Sequence, residues 1–270
     1  PIYLKLHEEV LRSSFLRGDT EEVFQRAELI LKRAETVIEK SAAYEVLNLI
    51  YMRDGRYTEC LDSGLKYLRE IGVKIPSNPG NGALLRELVR VQFRLRGKKI
   101  IDLANLPEIQ RPEIRIAQAL FPSFSPAAYL ARPQLLSFLL VKNISLSLKY
   151  GKGPELPVAM YYYAVIRCGI MGKIDEGREL ANLALKLAEA PESRKYIGLL
   201  HYGLGILVYP WFRPLSKTVE QMDIAYRLGL RNGDLVAASS ALGSYIAHGF
   251  LAGYELSSLI DKARHSVELL

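Results

Sequence analysis

The sequence predicts an all-α fold, an α-solenoid of degenerate helical hairpins, and three observations predict it. Apolar residues recur at helical spacing along nearly the whole chain, beginning with Leu4, Val10, Leu11, Phe15 and Leu16. Turn signals at Gly18, Gly55, Gly172 and Gly253 punctuate those stretches. Small residues stand where a second helix must approach a first closely, as at Gly177, Ala181 and Ala184. Such a hairpin has one apolar face too many to be stable alone, so each must stack on neighbours.

The stretch 138–190, FLLVKNISLSLKYGKGPELPVAMYYYAVIRCGIMGKIDEGRELANLALKLAEA, reads as a hairpin introduced by a further helix. Tyr161, Ala164, Val165, Cys168, Gly172, Ile174, Gly177, Ala181 and Ala184 fall where a tetratricopeptide-like pair wants its large, small and turn residues. Gly172 suits the left-handed conformation that ends a helix.

In chain order, Gly18 and Asp19 make the first turn, and Asp19 or Thr20 caps a second helix carrying Val23, Phe24, Ala27, Ile30 and Leu31. Tyr44, Leu47, Tyr51, Gly55, Tyr57, Cys60 and Gly64 repeat the pattern. Residues 72–82, GVKIPSNPGNG, cannot continue a helix and mark the best boundary between two sub-solenoids. The organisation expected is therefore hairpins over 1–71, this loop, then irregular helices and C-terminal hairpins over 83–270, in one continuous array. Residues 83–95 resume a helix with Leu84, Leu85, Leu88, Val91 and Leu95 on one side, and 100–106 form a short turn stopped by Pro107. Among the prolines that follow, Pro112 and Pro133 are placed to start helices and Pro122 to end one. Ile114, Ile116, Ala117, Leu120 and Phe124 still need burial there. Further pairs follow at 196–209 with 215–230, crossing at Leu204, Gly205 and Ala225, and at 234–251 with 255–270. Gly172 and Gly253 stand two repeats of about 40 residues apart, longer than the usual 34 or so.

A chain of 270 residues, 49% hydrophobic and 24% charged, can bury a sizeable core. Its net charge of +7 favours acidic partners without specifying nucleic acid, for which no motif stands in the sequence. Cys60 and Cys168, far apart in helical segments, suit buried thiols in a reducing, cytoplasmic setting. The most apolar stretch, 196–212, is interrupted by His201, Gly203, Gly205 and Pro210, so neither a signal peptide nor a membrane span is expected. A first residue Pro1 and a helix still running at Leu270 suggest an internal piece of a longer protein.

The order LVKNISLSLKYGKGPELPVAMYYYAVIRCGIMGKIDEGRELANLALKLAE, then YPWFRPLSKTVEQMDIAYRLGLRNGDLVAASSALGSYIAHGFLAGYEL, resembles the tetratricopeptide-like helical region of large bacterial signal-transduction ATPases. The resemblance covers most of the chain and is best from about Leu65 onward. It implies a scaffold that follows a nucleotide-binding domain of the AAA or STAND type, fused to serine/threonine-kinase, histidine-kinase or nucleotide-cyclase output domains. It carries no catalytic residue. The ATPase signature is missing: Gly151-Lys152-Gly153-Pro154 lacks the preceding glycine and following hydroxyl of a phosphate loop and reads as a helix-joining loop.

Other chemistry is sparse. His7, His201, His248 and His265 show no metal-ligand spacing, and neither cysteine has the context of a nucleophile. Glu21, Glu22, Asp175 and Glu176 sit at helix starts, where negative charge suits the macrodipole. No catalytic residue, cofactor or metal is expected. Three features stand out. Arg86, Arg90 and Arg94, followed by Arg96, Lys98 and Lys99, lie on one helix face, either a solvated face or a docking surface for an acidic partner. Tyr161, Tyr162 and Tyr163 with Arg167, then Tyr202 and Tyr209, fit inter-repeat packing, or a groove in which Tyr162, Ile166, Tyr202 and Ile206 receive a peptide or helix. Trp211, between Pro210 and Pro214, either caps the core or is an interaction hot spot.

Two function classes follow. One is a non-catalytic scaffold or sensor region that binds neighbouring domains or another chain, favoured by apolar concave positions Leu49, Met52, Ile166, Ile206 and Phe250. The other is a small-molecule effector-binding domain, as in helical-repeat transcription activators. No constellation supports a stand-alone enzyme.

Overall fold

The computed structural model describes residues 2–232 and 235–267. Their elements are helices: α1 (Ile2–Leu16), α2 (Thr20–Arg33), α3 (Ser41–Arg53), α4 (Tyr57–Glu70), α5 (Asn81–Leu95), α6 (Pro112–Ala131), α7 (Pro133–Tyr150), α8 (Leu156–Gly169), α9 (Ile174–Leu187), α10 (Ile197–Leu207), α11 (Leu215–Asn232), α12 (Leu235–Leu251) and α13 (Leu256–Val267). Short 3-10 turns stand at Ile100–Asn105, Arg194–Tyr196 and Tyr209–Trp211. Among the described residues the β structure is one isolated parallel bridge, Glu108 to Lys152. The array is thus all-helical with repeated hairpin packing. The expected start of the last pair at Asp234, its end at Leu270 and the side chain of His265 lie outside the described residues.

The chain forms two compact units, Pro1–Arg96 with Pro107–Gly153, and Gly97–Leu106 with Pro154–Leu270. The 72–82 loop therefore lies inside the first unit. It is tied down at its start, where Val73 N–H donates to the Leu68 carbonyl at 2.8 Å and Val73 and Ile75 are buried between exposed Gly72, Lys74 and Pro76.

In the first unit, α1 and α2 pair across Gly18, and Asp19 is the cap: its carboxylate accepts from Glu22 N–H at 3.1 Å. Leu11, Val23, Ile30, Val46 and Ile50 interlock beneath α1, α2 and α3, each contributing about 1.5–3 kcal/mol by leaving water. The Tyr44 and Tyr67 rings stack at 4.4 Å, and their hydroxyls donate to Glu70 and to the Val37 carbonyl. α6 then packs on α4, where a Cβ on Gly64 would come within 2.9 Å of the Phe124 ring. Pro112 and Pro133 start α6 and α7 as expected, but Pro122 does not end a helix, since α6 runs through both Pro122 and Pro126. An interior proline costs about 3 kcal/mol. Full burial of Phe121 and Phe124 offsets that cost, and the Ser123 and Ser125 hydroxyls donate to the Leu120 and Phe121 carbonyls in the same turns.

The 151–154 segment does more than join two helices. Gly151 ends α7 at φ +109°, where Lys152 N–H donates to the Pro107 carbonyl at 2.7 Å and Ile109 N–H to that of Lys152 at 2.9 Å. A side chain at Gly151 would collide with the Pro107 carbonyl.

In the second unit, α8 and α9 form the central hairpin across Gly172, α10 packs on α8 and α11, and α12 packs on α11 and α13. The turn Ile100–Asn105 also packs on α9. Glycines make the close approaches: a Cβ on Gly177 would overlap Cys168 Sγ, one on Gly203 would lie 2.8 Å from Tyr161 Cε1, and one on Gly205 would lie 2.9 Å from Gln221 Cβ.

Candidate functional site

The three tyrosines of α8 are packed inside the second unit. Tyr161 crosses to Gly203 on α10, and its ring stands 5.0 Å from that of Tyr162. Burial pushes the Tyr161 phenol far above its ordinary range, with Tyr162 and Tyr202 adding to the shift. Tyr162 and Ile166 are both buried, so they do not line an open groove. Tyr202 packs instead against the Ala225, Tyr226, Ala238, Ala241 and Leu242 cluster of α11 and α12, while Ile206 is half-buried. The concave set expected from the register is dispersed: Leu49 and Phe250 are exposed, Met52 is half-buried and Ile166 is core.

Arg167 is buried at the end of α8 and braces the hairpin. Its guanidinium pairs with Glu176 on α9, donates to Met171 Sδ at 3.3 Å and lies 5.3 Å from the Tyr163 ring centroid. These contacts hold the Gly172 turn. Tyr209 is likewise buried, with Arg213 stacked 4.3 Å above its ring and Phe212 edge-on at 5.7 Å. Trp211 is 49% exposed and sits against Gly169, whose neighbour Ile170 is also exposed.

The basic helix divides. α5 packs chiefly on α7, burying Val91 and Glu87. Glu87 accepts from Lys142 at 3.2 Å and Arg90 at 2.9 Å. Burial opposes its ionisation, but the Ser145 hydrogen bond and the two cations outweigh burial and hold the carboxyl below its ordinary value. Arg94 turns into the same interface and donates to Ser145 Oγ at 2.9 Å. Only Arg86 and Arg90 of the expected trio face solvent. Leu85, expected on one side with Leu84, Leu88, Val91 and Leu95, is 62% exposed, and Val89 and Phe93 continue its row at 58% and 74%. Sequence reasoning missed this row, although its i, i+4, i+8 spacing forms a second apolar ridge on a helix that already had one.

Histidines join α10, α11 and α12. His201 Nδ1 meets Gln221 Oε1 at 2.7 Å. Thr218 donates to the Leu215 carbonyl, so its 3.1 Å contact with His248 has the imidazole Nδ1–H as donor. Burial lowers both imidazole pKa values, in His201 against the Gln221 bond. Burial also pushes the Cys60 thiol up to about 12 and raises that of Cys168. Among the described residues, no three His, Cys, Asp or Glu side chains converge as a metal site, and no helix is long and apolar enough to cross a membrane.

Two adjoining clefts of about 350 and 380 Å³ open between the start of α10 and the end of α11, sharing Arg194 and Leu228. Lys195, Arg231 and Glu189 line their rims, with Ile197 and Leu199 inside.

The chain matches no protein-family model, and no curated protein matches it significantly.

Proposed function

We propose that this chain is a non-catalytic interaction and sensor region of a multidomain bacterial signalling protein, relaying partner binding to neighbouring ATPase and output domains in the cytoplasm. The observation that carries the reading is the aromatic knob of the second unit. Trp211 is the chain's one tryptophan, a residue type normally well covered. It lies half exposed against Gly169, beside exposed Ile170, at the hairpin ends. The resemblance of residues 140–189 and 209–256 to the helical region of signalling ATPases supports the setting.

The test is a thermal-shift comparison of the chain alone, with metabolite pools, and with adjoining ATPase and output segments. Only what binds the native state raises its apparent stability. Stabilisation by a protein segment, lost in Trp211→Ala, supports the reading, and no stabilisation by any segment sinks it. A second reading, a small-molecule effector domain, is favoured by the two basic-rimmed clefts, whose size suits a small anionic ligand. Stabilisation by one anionic metabolite class alone, abolished by Arg194→Ala, would put that reading first.

A further inference from the structure

We propose that α5 is the docking helix for an acidic amphipathic helix of a protein partner. The inference shares with the reading above the premise that the chain binds proteins, but it stands on different residues in the other unit. Leu85, Val89 and Phe93 make a continuous exposed ridge, with first and last Cα atoms about 12 Å apart at 1.5 Å per residue. That is the contact length of two to three helical turns, the span over which a partner helix presents its anchors. Phe93, the most exposed of the three, is the natural knob, and Leu85 and Val89 set the bed.

Charge chooses the occupant. Arg86 and Arg90 follow Leu85 and Val89 by one residue, which places them about 100° further round the helix, along one flank of the ridge. Arg96 stands exposed at its end. The single acid of α5, Glu87, is buried and already shared by Lys142 and Arg90. Arg86 makes no ion pair among the described residues. The solvent side of α5 is therefore apolar along one line and positive along the next, with no negative charge of its own. A helix with an apolar stripe edged on one side by Asp and Glu is its complement.

The same pattern argues against the alternatives. Two copies of α5 packed antiparallel about a two-fold axis would set arginine flank against arginine flank, and packed parallel would set it against Gln92, with no counter-charge in either case. A membrane-surface helix lays a whole apolar face into the headgroup boundary. Here the second edge, Leu84 and Leu88, turns toward α7 and is half-buried.

The test selects a display library of 18-residue amphipathic helices with randomised flanking positions on the 270-residue chain, counter-selecting on Leu85→Ser/Phe93→Ser. Both substitutions are at exposed positions, and circular dichroism checks that the fold is kept. Clones that depend on Leu85 and Phe93 should be enriched in Asp and Glu on one flank. Their affinity should fall about threefold or more in Arg86→Glu, which leaves the Arg90–Glu87 pair intact. Selection repeated on that charge-reversed chain should enrich Lys and Arg instead. Clones without flank bias, or none sensitive to Leu85→Ser/Phe93→Ser, overturn the inference. So does self-association abolished by Phe93→Ser, or binding to phosphatidylserine vesicles that requires Arg86 and Arg90 while no clone is selected. Trp211→Ala serves as the control that separates the two readings: acidic clones should bind it unchanged, and a partner that binds through Trp211 alone sinks only the α5 inference.

Discussion

Replacing Gly177 by alanine tests how closely α8 and α9 are packed. The added Cβ would overlap Cys168 Sγ and lie 3.3 Å from the Ala164 carbonyl, whereas non-bonded heavy atoms rest at roughly 3.5–4.0 Å. Cys168 is buried and has little room to withdraw. Overpacking of this kind costs about 1–3 kcal/mol, and alanine's better helix propensity returns about 1 kcal/mol. The net expectation is a loss of up to about 2 kcal/mol. Cys168→Ala removes the obstructing sulfur, so in that background Gly177→Ala should become neutral or stabilising by up to about 1 kcal/mol. The coupling between the two sites is then about 1–3 kcal/mol. Urea unfolding followed by tryptophan fluorescence reads it directly, because Trp211 lies in the second unit with both residues. Effects that add to within about 0.5 kcal/mol would refute the close approach.

Glu87→Ala should destabilise the first unit by about 3 kcal/mol, since it leaves Lys142 unpaired in the interface; Glu87→Ala/Lys142→Met should recover most of that loss in urea unfolding followed by circular dichroism, which reads the helices of both units. Stability should fall in two stages as pH is lowered. His201 and His248 titrate below 6.5 in the folded chain, so the unfolded chain binds more protons there. Stability is therefore full above that pH and is lost as pH falls from it through the depressed values. Glu87 contributes stability that is present above 4.5 and lost as pH falls through its own lowered pKa. A melting temperature that is flat between pH 7.5 and pH 5, or a first stage unchanged by His201→Gln, would contradict the histidine assignment. Cys60 and Cys168, buried and with raised pKa values, should react with a thiol reagent at pH 8 only after urea is added; rapid labelling of the native chain would contradict their burial.

What was legible in the sequence is what local chemistry decides. Gly55 and Gly172 announced turns because few other residues take positive φ, and the helices on either side followed from apolar spacing. Asp19 and Thr20 could not be told apart as caps, since both have an oxygen at the right reach, and the structure uses Asp19. Pro122 misled because its penalty is local whereas the burial of Phe121 and Phe124 that offsets it is not. On α5 the periodicity fitted two faces, and the buried Glu87 decides between them through Lys142, a residue 55 positions away that no local pattern indicates. Tyr162 and Ile166 were assigned to a concave face from a repeat register, yet both lie in the core. The division into two units rests on long-range packing, so the glycines and proline of 151–154 read only as a helix-joining loop and gave no sign that a unit ends at residue 153.

The turn Ile100–Asn105 belongs with α9 although the chain on both sides of it belongs to the first unit. On a ribosome that order has a cost. Leu103, buried in the finished protein, emerges 84 residues before Leu187, the end of the helix on which its turn packs. At typical synthesis rates that is a wait of roughly 4–17 s, during which α6 and α7 are made and the first unit can close. A chaperone that engages nascent apolar segments has its longest opening here, and a single cut between Gly153 and Pro154 would leave the turn on the wrong fragment.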